Sequence, residues 1–249
     1  SRPATDLFER YLAVPGGRPF DDASIHIYAA QGYPDTTEWE FMAKQTKEAI
    51  ARSGYSNDDM KLWVTESGMN VHTSYGTDQQ VENVLVRQFV LTECFNAVDK
   101  FIMYQLQTYE TDPNNPEDWY GCLQGRGTKN ANGARKRYLG VCNFIAMTEN
   151  AEVLEGQRYD NNETVYGRMK KPNGNYLTVM YTTHQAKDVT IDFGYNQGIV
   201  YDVDGNPTVL NSSDGKYTVT LTDSPIYFET PGEKFEIIET EVKRDKEKI

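Results

Sequence analysis

The sequence predicts a parallel α/β segment followed by an antiparallel β-sandwich, and three observations carry that expectation. Short apolar runs alternate with amphipathic stretches between residues 24 and 148. From about residue 150 the amphipathic stretches give way to closely spaced strand-like runs. Asn-Gly and Asp-Gly pairs then separate those runs at Asn173-Gly174, Asp204-Gly205 and Asp214-Gly215, the strongest short-range signal for hairpin turns.

The α/β part reads as three strand–helix units. Ser24 to Tyr28 is a short strand. A helix is expected from about Thr37, where Thr37 and Glu40 have capping-box spacing, and Gly54 is its expected stop. Lys61 to Thr65 is the second strand. The second helix is expected from about Asp78 to Asp99, because Val81, Val84, Leu85, Phe89, Phe95 and Val98 recur at three- and four-residue steps. Phe101 to Leu106 is the third apolar run. After a polar loop, a last helix is expected near Ala134, with Tyr138, Val141, Cys142 and Ile145 on one face. Three such units in a row imply a parallel sheet.

In the second part, strands are expected at 176–181, 189–193, 198–201, 217–221 and 225–228. About ninety residues of this pattern match the size of a β-sandwich. The expected division is therefore 1–148 for the α/β part, 149–238 for the sandwich, and 239–249 for a charged tail or linker. Asp202-Val203-Asp204-Gly205-Asn206 has part of a calcium-loop pattern but not its downstream glutamate, so a hairpin turn is expected there.

Composition narrows the function classes. A net charge of −12 argues against nucleic acid and anionic membrane surfaces as partners, and leaves neutral ligands such as carbohydrate open. No apolar run approaches the roughly 18–20 residues that span a bilayer. Cys94, Cys122 and Cys142 form no CxxC pair and are expected to be buried thiols. His26, His72 and His184 are far apart, so neither a metal nor a cofactor is expected.

Leu62-Trp63-Val64-Thr65-Glu66-Ser67-Gly68-Met69 holds the most informative carboxylate. Glu66 ends an apolar strand and is followed at once by small, turn-forming residues. At the carboxyl end of a parallel strand, such a group is placed for catalysis. With a second carboxyl group beside it, it can attack a sugar.

With these residues in view, the chain resembles the C-terminal half of a clan A glycoside hydrolase, a retaining β-glycosidase on a (β/α)8 barrel. His26-Ile27-Tyr28 is similar to the H-x-Y that ends the sixth barrel strand, and Trp63 to Gly68 to the W-x-T-E-x-G of the seventh. Phe101 to Leu106 falls where the eighth strand belongs, and Trp119 to Leu123 resembles the segment after it. Asp223 to Phe228 is similar to the S-P-x-Y ending of the sandwich that follows such barrels.

The resemblance implies that Glu66 is the nucleophile and that His26, Tyr28, Gln105 and Trp119 contact the substrate, with Tyr109 a further stacking candidate. Tyr104, Gln105 and Gln107 stand where many clan families place a tryptophan. The family's acid/base belongs to the fourth strand, and Glu9, Asp21 and Asp22 lack that strand context. The expected partners are a carbohydrate substrate and the N-terminal half of the same barrel; the expected location is secreted or cell-surface. A catalytically inactive hydrolase-like structural or carbohydrate-binding module is the alternative.

Overall fold

The computed structural model describes residues 9–15, 20–28, 37–71, 77–108, 112 and 114–242. Tyr109, His72 and residues 243–249 of the expected tail lie outside them. The chain divides into two compact units, Ser1–Arg135 and Lys136–Ile249.

In the first unit, β1 (Ala23–His26), β2 (Leu62–Ser67) and β3 (Lys100–Met103) form a parallel sheet in that order, with β2 in the centre. Helix α1 (Thr37–Arg52) lies between β1 and β2 in the chain, and α2 (Asp78–Phe95) between β2 and β3. Trp39, Ala43, Thr46 and Ile50 are buried at three- and four-residue steps, the stripe by which α1 meets the core. Trp39 is fully buried and sets its ring edge-on against Phe101, with centroids 5.8 Å apart. Leu62 and Val64 of β2 complete the same apolar cluster.

The strand entries are tied by side chains. Asp99 accepts the Leu62 amide at 2.8 Å, and Asp22 accepts the Lys61 amide at 3.2 Å. Asp22 therefore has a structural role, as does Glu9, which pairs with Arg52 at 2.6 Å.

Helix α2 carries the capping box, with Thr77 and Gln80 bonding reciprocally. It ends at Asn96 in the left-handed region (φ 48°), ahead of the expected Asp99, because Asn tolerates that conformation and turns the chain toward β3. The third strand is likewise shorter than its apolar run. It stops at Met103, and the Tyr104–Gln105 peptide that follows is cis.

The second unit contains α3 (Lys136–Thr148) and the strands β4 (Glu152–Tyr159), β5 (Thr164–Lys170), β6 (Tyr176–Thr182), β7 (Lys187–Asp192), β8 (Gln197–Tyr201), β9 (Pro207–Asn211), β10 (Lys216–Leu221), β11 (Ile226–Thr230) and β12 (Glu236–Val242). They build a six-stranded sheet in the order β4-β5-β6-β11-β8-β9 and a three-stranded sheet β10-β7-β12. Every strand pairing here is antiparallel. Met180 and Phe228 from the larger sheet share one core cluster with Val189, Ile191, Tyr217 and Leu221 from the smaller.

The expected turns form as read. Gly174, Gly205 and Gly215 adopt positive φ of 88°, 89° and 80°, a region glycine enters without steric cost. The 202–206 segment is the β8–β9 hairpin turn, in which the Asp202 carboxylate accepts the Asn206 amide at 2.8 Å.

Four expectations are corrected. The boundary between units falls at 135/136, not 148/149, because α3 is fastened to the β8–β9 turn. Asn143 donates to the Val203 carbonyl at 3.1 Å, and Lys136 pairs with Asp204 at 2.9 Å. Its buried face is Val141, Phe144 and Met147, which leaves Cys142 and Ile145 exposed. Cys142 is thus not a buried thiol, whereas Cys94 and Cys122 are; burial, with Glu93 adding to it, pushes the Cys94 thiol up to about 12. Finally, 239–242 belong to β12, paired with β7, rather than to a tail.

Lys187 opens β7 with no exposed side-chain surface, and its ammonium meets Asp160 at 2.6 Å and Glu163 at 2.7 Å. Burial pulls the lysine pKa down, but the bonds to both acids outweigh it and hold the value above 10.5. The same bond holds Asp160 below 3.8. The Lys187 contribution to stability is therefore present below pH 10.5 and lost as pH rises through the folded value. That of Asp160 is present above pH 3.8 and lost as pH falls through its folded value. Combining Asp160→Asn with Glu163→Gln strands a buried ammonium and is expected to cost about 3 kcal/mol. Urea unfolding at pH 7 tests this, and an unchanged midpoint would refute it.

Candidate functional site

Parallel strands deliver their carboxyl ends to one edge, and the candidate site is built there. β1 pairs with β2 in register until a shift after Ile25, which sets His26 opposite Glu66 rather than Thr65. The Ile27 amide then donates to the Glu66 carbonyl at 3.1 Å. Across β2, the Tyr104 amide donates to the Ser67 carbonyl at 2.8 Å. The ends of all three strands are thereby joined through main-chain bonds.

Glu66 receives two side chains from the β1 end. His26 Nδ1 lies 2.6 Å from Glu66 Oε2. A carboxylate only accepts, so Nδ1 carries a proton and donates it. The Tyr28 phenol also bonds the Glu66 side chain. Burial, and after it the negative charge of Glu66, pushes the Tyr28 pKa well above 10, so the phenol stays protonated and donates. The Glu66 side chain keeps 26 % of its surface exposed, which leaves it open to a ligand.

A loop after β3 folds back onto this edge. Asn115 caps a single 3-10 turn (Pro116–Trp119), with Pro116 at its start. Thr108 donates to the Asp118 carbonyl at 2.7 Å, and Asp118 in turn accepts the Asp112 amide at 2.9 Å. Tyr120 follows, and its ring meets Tyr28 and Tyr104 at centroid distances of 5.9 and 5.3 Å. Tyr28 and Tyr104 meet at 6.4 Å, so the three phenols form one edge-to-face cluster beside Glu66. The Tyr120 phenol bonds Asn70, and the Tyr104 phenol donates to Glu117 at 3.2 Å.

Gly68 is what lets the loop close. A Cβ there would collide with the Tyr104 carbonyl oxygen and come within 3.2 Å of the Tyr120 ring. Only glycine permits that approach.

Of the residues expected from the sequence, His26, Tyr28 and Glu66 converge. Gln105 lies just past β3, where its backbone carbonyl accepts the Cys122 amide at 3.0 Å. The Trp119 ring lies beneath the Arg135 guanidinium, 5.5 Å from its centroid, and Tyr120 is the neighbour that joins the tyrosine cluster. Gln107 donates to Gln124 and Asn132 at 2.8 and 2.7 Å, a structural role. Sequence reasoning missed Asn70, Glu117 and the role of Tyr120. The Trp119-Tyr120-Gly121 run was the available signal, but an irregular loop has no period to say which ring faces inward. A separate cleft of about 410 Å³ lies between α1 and the end of α2, lined in part by Lys44, Lys47 and Phe95, none of which belongs to the Glu66 cluster.

No family model matches the sequence, and no curated protein sequence matches it. Solved structures do. A family 39 glycoside hydrolase from the gut symbiont Bacteroides cellulosilyticus WH2 superposes over 92 % of this chain with a TM-score of 0.66 at 18 % identity. An arabinofuranosidase of glycoside hydrolase family 51 from Xanthomonas axonopodis pv. citri superposes over 92 % with a TM-score of 0.51 at 13 % identity. What is shared is the fold. The chain spans 46 % of the first structure and 62 % of the second.

Two outcomes follow from this geometry. Gly68→Ala is expected to destabilise the chain by about 2 kcal/mol, because the obstruction is backbone and cannot swing away; a thermal melt indistinguishable from wild type would refute the close approach. Tyr28 favours its neutral form, so its bond to Glu66 persists through pH 10 and is lost only as pH rises further. In an ultraviolet phenol titration, Tyr28→Phe should remove one tyrosine from the late-ionising fraction above pH 10 and none from the fraction near it.

Proposed function

We propose that this chain carries the nucleophile half of a retaining glycoside hydrolase site, on the sixth to eighth strands of a (β/α)8 barrel followed by a β-sandwich. The observation that carries the reading is Glu66 at the carboxyl edge of the central parallel strand, with His26 and Tyr28 both donating to its carboxylate. Retaining hydrolysis asks for such a group, ionised and fixed in direction, about 5–5.5 Å from a second carboxyl group. Glu66 attacks the anomeric carbon as the bond to the leaving oxygen breaks and that oxygen takes a proton from the second group. The same group then removes a proton from water, whose oxygen displaces Glu66 and frees the sugar. Tyr28 and His26 keep the carboxylate oriented through both steps.

The second group in this reading is the fourth-strand glutamate of the barrel's N-terminal half, which completes the sheet. Among the described residues the sheet ends at β1 on one side and β3 on the other. Parallel sheets are normally covered on both faces, yet Ile102 in β3 and Leu106 beyond it are 48 % and 57 % exposed. Closure into a barrel would pair those edges and cover those side chains.

A mechanism-based 2-fluoro glycoside tests the assignment with the N-terminal half present. The expected result is a glycosyl mass added to the peptide containing Glu66 and absent from Glu66→Gln. No adduct at Glu66 would reject the enzymatic reading in favour of an inactive hydrolase-like module.

A further inference from the structure

Glu117 is a second carboxylate at the same edge, and the structure goes to some length to hold it there. Asn115 Oδ1 accepts the Glu117 amide at 3.2 Å, Pro116 stiffens the turn, and the neighbouring Asp118 is buried and anchored to the Asp112 amide. Glu117 itself points to solvent and accepts the Tyr104 phenol at 3.2 Å, leaving lone pairs on its carboxylate for another donor. Tyr104 stacks edge-on against Tyr28, and Tyr28 bonds Glu66. Burial, and after it the charge of Glu117, raises the Tyr104 pKa, and Glu66 adds to the rise, so both carboxylates act on one phenol. Tyr120 likewise feels both, with burial the larger cause of its raised pKa. A rigid 3-10 turn thus presents a charged acceptor beside the tyrosine cluster whose opposite side carries the proposed nucleophile.

We propose that Glu117 is a specificity-determining residue of the Glu66 site, accepting hydroxyl groups of a neutral sugar and repelling sugars that carry a carboxylate. The inference rests on the glycosidase reading above and adds a substrate class to it: neutral glycosides rather than uronides. A sugar hydroxyl donates to a carboxylate without any charge having to be removed. A uronate meets two like charges, Glu66 and Glu117, which both act on the Tyr104 and Tyr120 phenols. One like charge a few ångströms away at a solvent-exposed edge is worth on the order of fivefold to tenfold in rate.

The test compares two mechanism-based probes on the protein with its N-terminal half present: a 2-fluoro glycosyl fluoride of a neutral hexose and its uronic acid analogue. Wild type is expected to label at Glu66 at least about tenfold faster with the neutral probe. Glu117→Gln should narrow that ratio toward one, and raising the salt concentration should narrow it in wild type. A variant that only disturbed the fold would slow both probes together and leave the ratio unchanged, which overturns the proposal. Tyr104→Phe, which frees the Glu117 carboxylate from its tether, should narrow the ratio less than Glu117→Gln; an equal or larger effect also overturns it. Faster labelling of wild type by the uronic probe overturns the specificity claim alone. Absence of labelling by both probes overturns it together with the glycosidase reading.

Discussion

The parallel pairing of β1, β2 and β3 is the constraint on which the rest of the site depends. Parallel strands end at a common edge, so residues 26–28, 66–70 and 103–108 must emerge side by side. Two main-chain bonds, Ile27 to Glu66 and Tyr104 to Ser67, finish the ladder at that edge. The register shift after Ile25 then decides which side chain of β1 faces Glu66. Without it, the β1 strand would continue residue for residue and bring His26 level with Thr65. The contact between imidazole and carboxylate is therefore written in backbone geometry before any side-chain chemistry is considered.

A strongly acidic chain has to treat its carboxylates differently according to their task, and two clusters show the contrast. Asp160 and Glu163 close on a buried ammonium, so their charge is neutralised locally and serves stability. Glu66 receives donors instead: a phenol that does not ionise in the neutral range and a histidine with 59 % of its side chain exposed. Such partners direct the carboxylate without enclosing it.

The parts of this molecule legible in its sequence are those with a period or a required turn residue. Trp39, Ala43 and Ile50 mark the buried face of α1, and the glycines at 174, 205 and 215 mark the hairpins. Strand β4 escaped notice because Glu152 to Tyr159 does not alternate cleanly and carries a bulge between Val153 and Glu155. Strand β12 was hidden by its charge, since alternating glutamates on a solvent-facing edge look like a tail. In α3, Tyr138, Val141, Cys142 and Ile145 fit one helical face on paper. Packing instead selected Val141, Phe144 and Met147. At the site, Glu66, His26 and Tyr28 were legible because they sit on strands or directly after them. Tyr120 and Glu117 were not, because the loop carrying them is fixed by Asn115, Thr108 and Asp118 through contacts that have no sequence spacing.

The Thr65-Glu66-Ser67-Gly68 segment combines two kinds of necessity that the structure separates. Gly68 is demanded by packing: the Tyr104 carbonyl occupies the space of a Cβ, whatever the protein does. Ser67 is buried and meets Gln88 at 3.4 Å, so it too answers to the interior. Glu66 answers to neither. Its side chain leaves the sheet at the strand end, where it keeps 26 % of its surface exposed. The proposed nucleophile role accounts for a strand-end carboxylate that two neighbouring side chains, His26 and Tyr28, are arranged to grip.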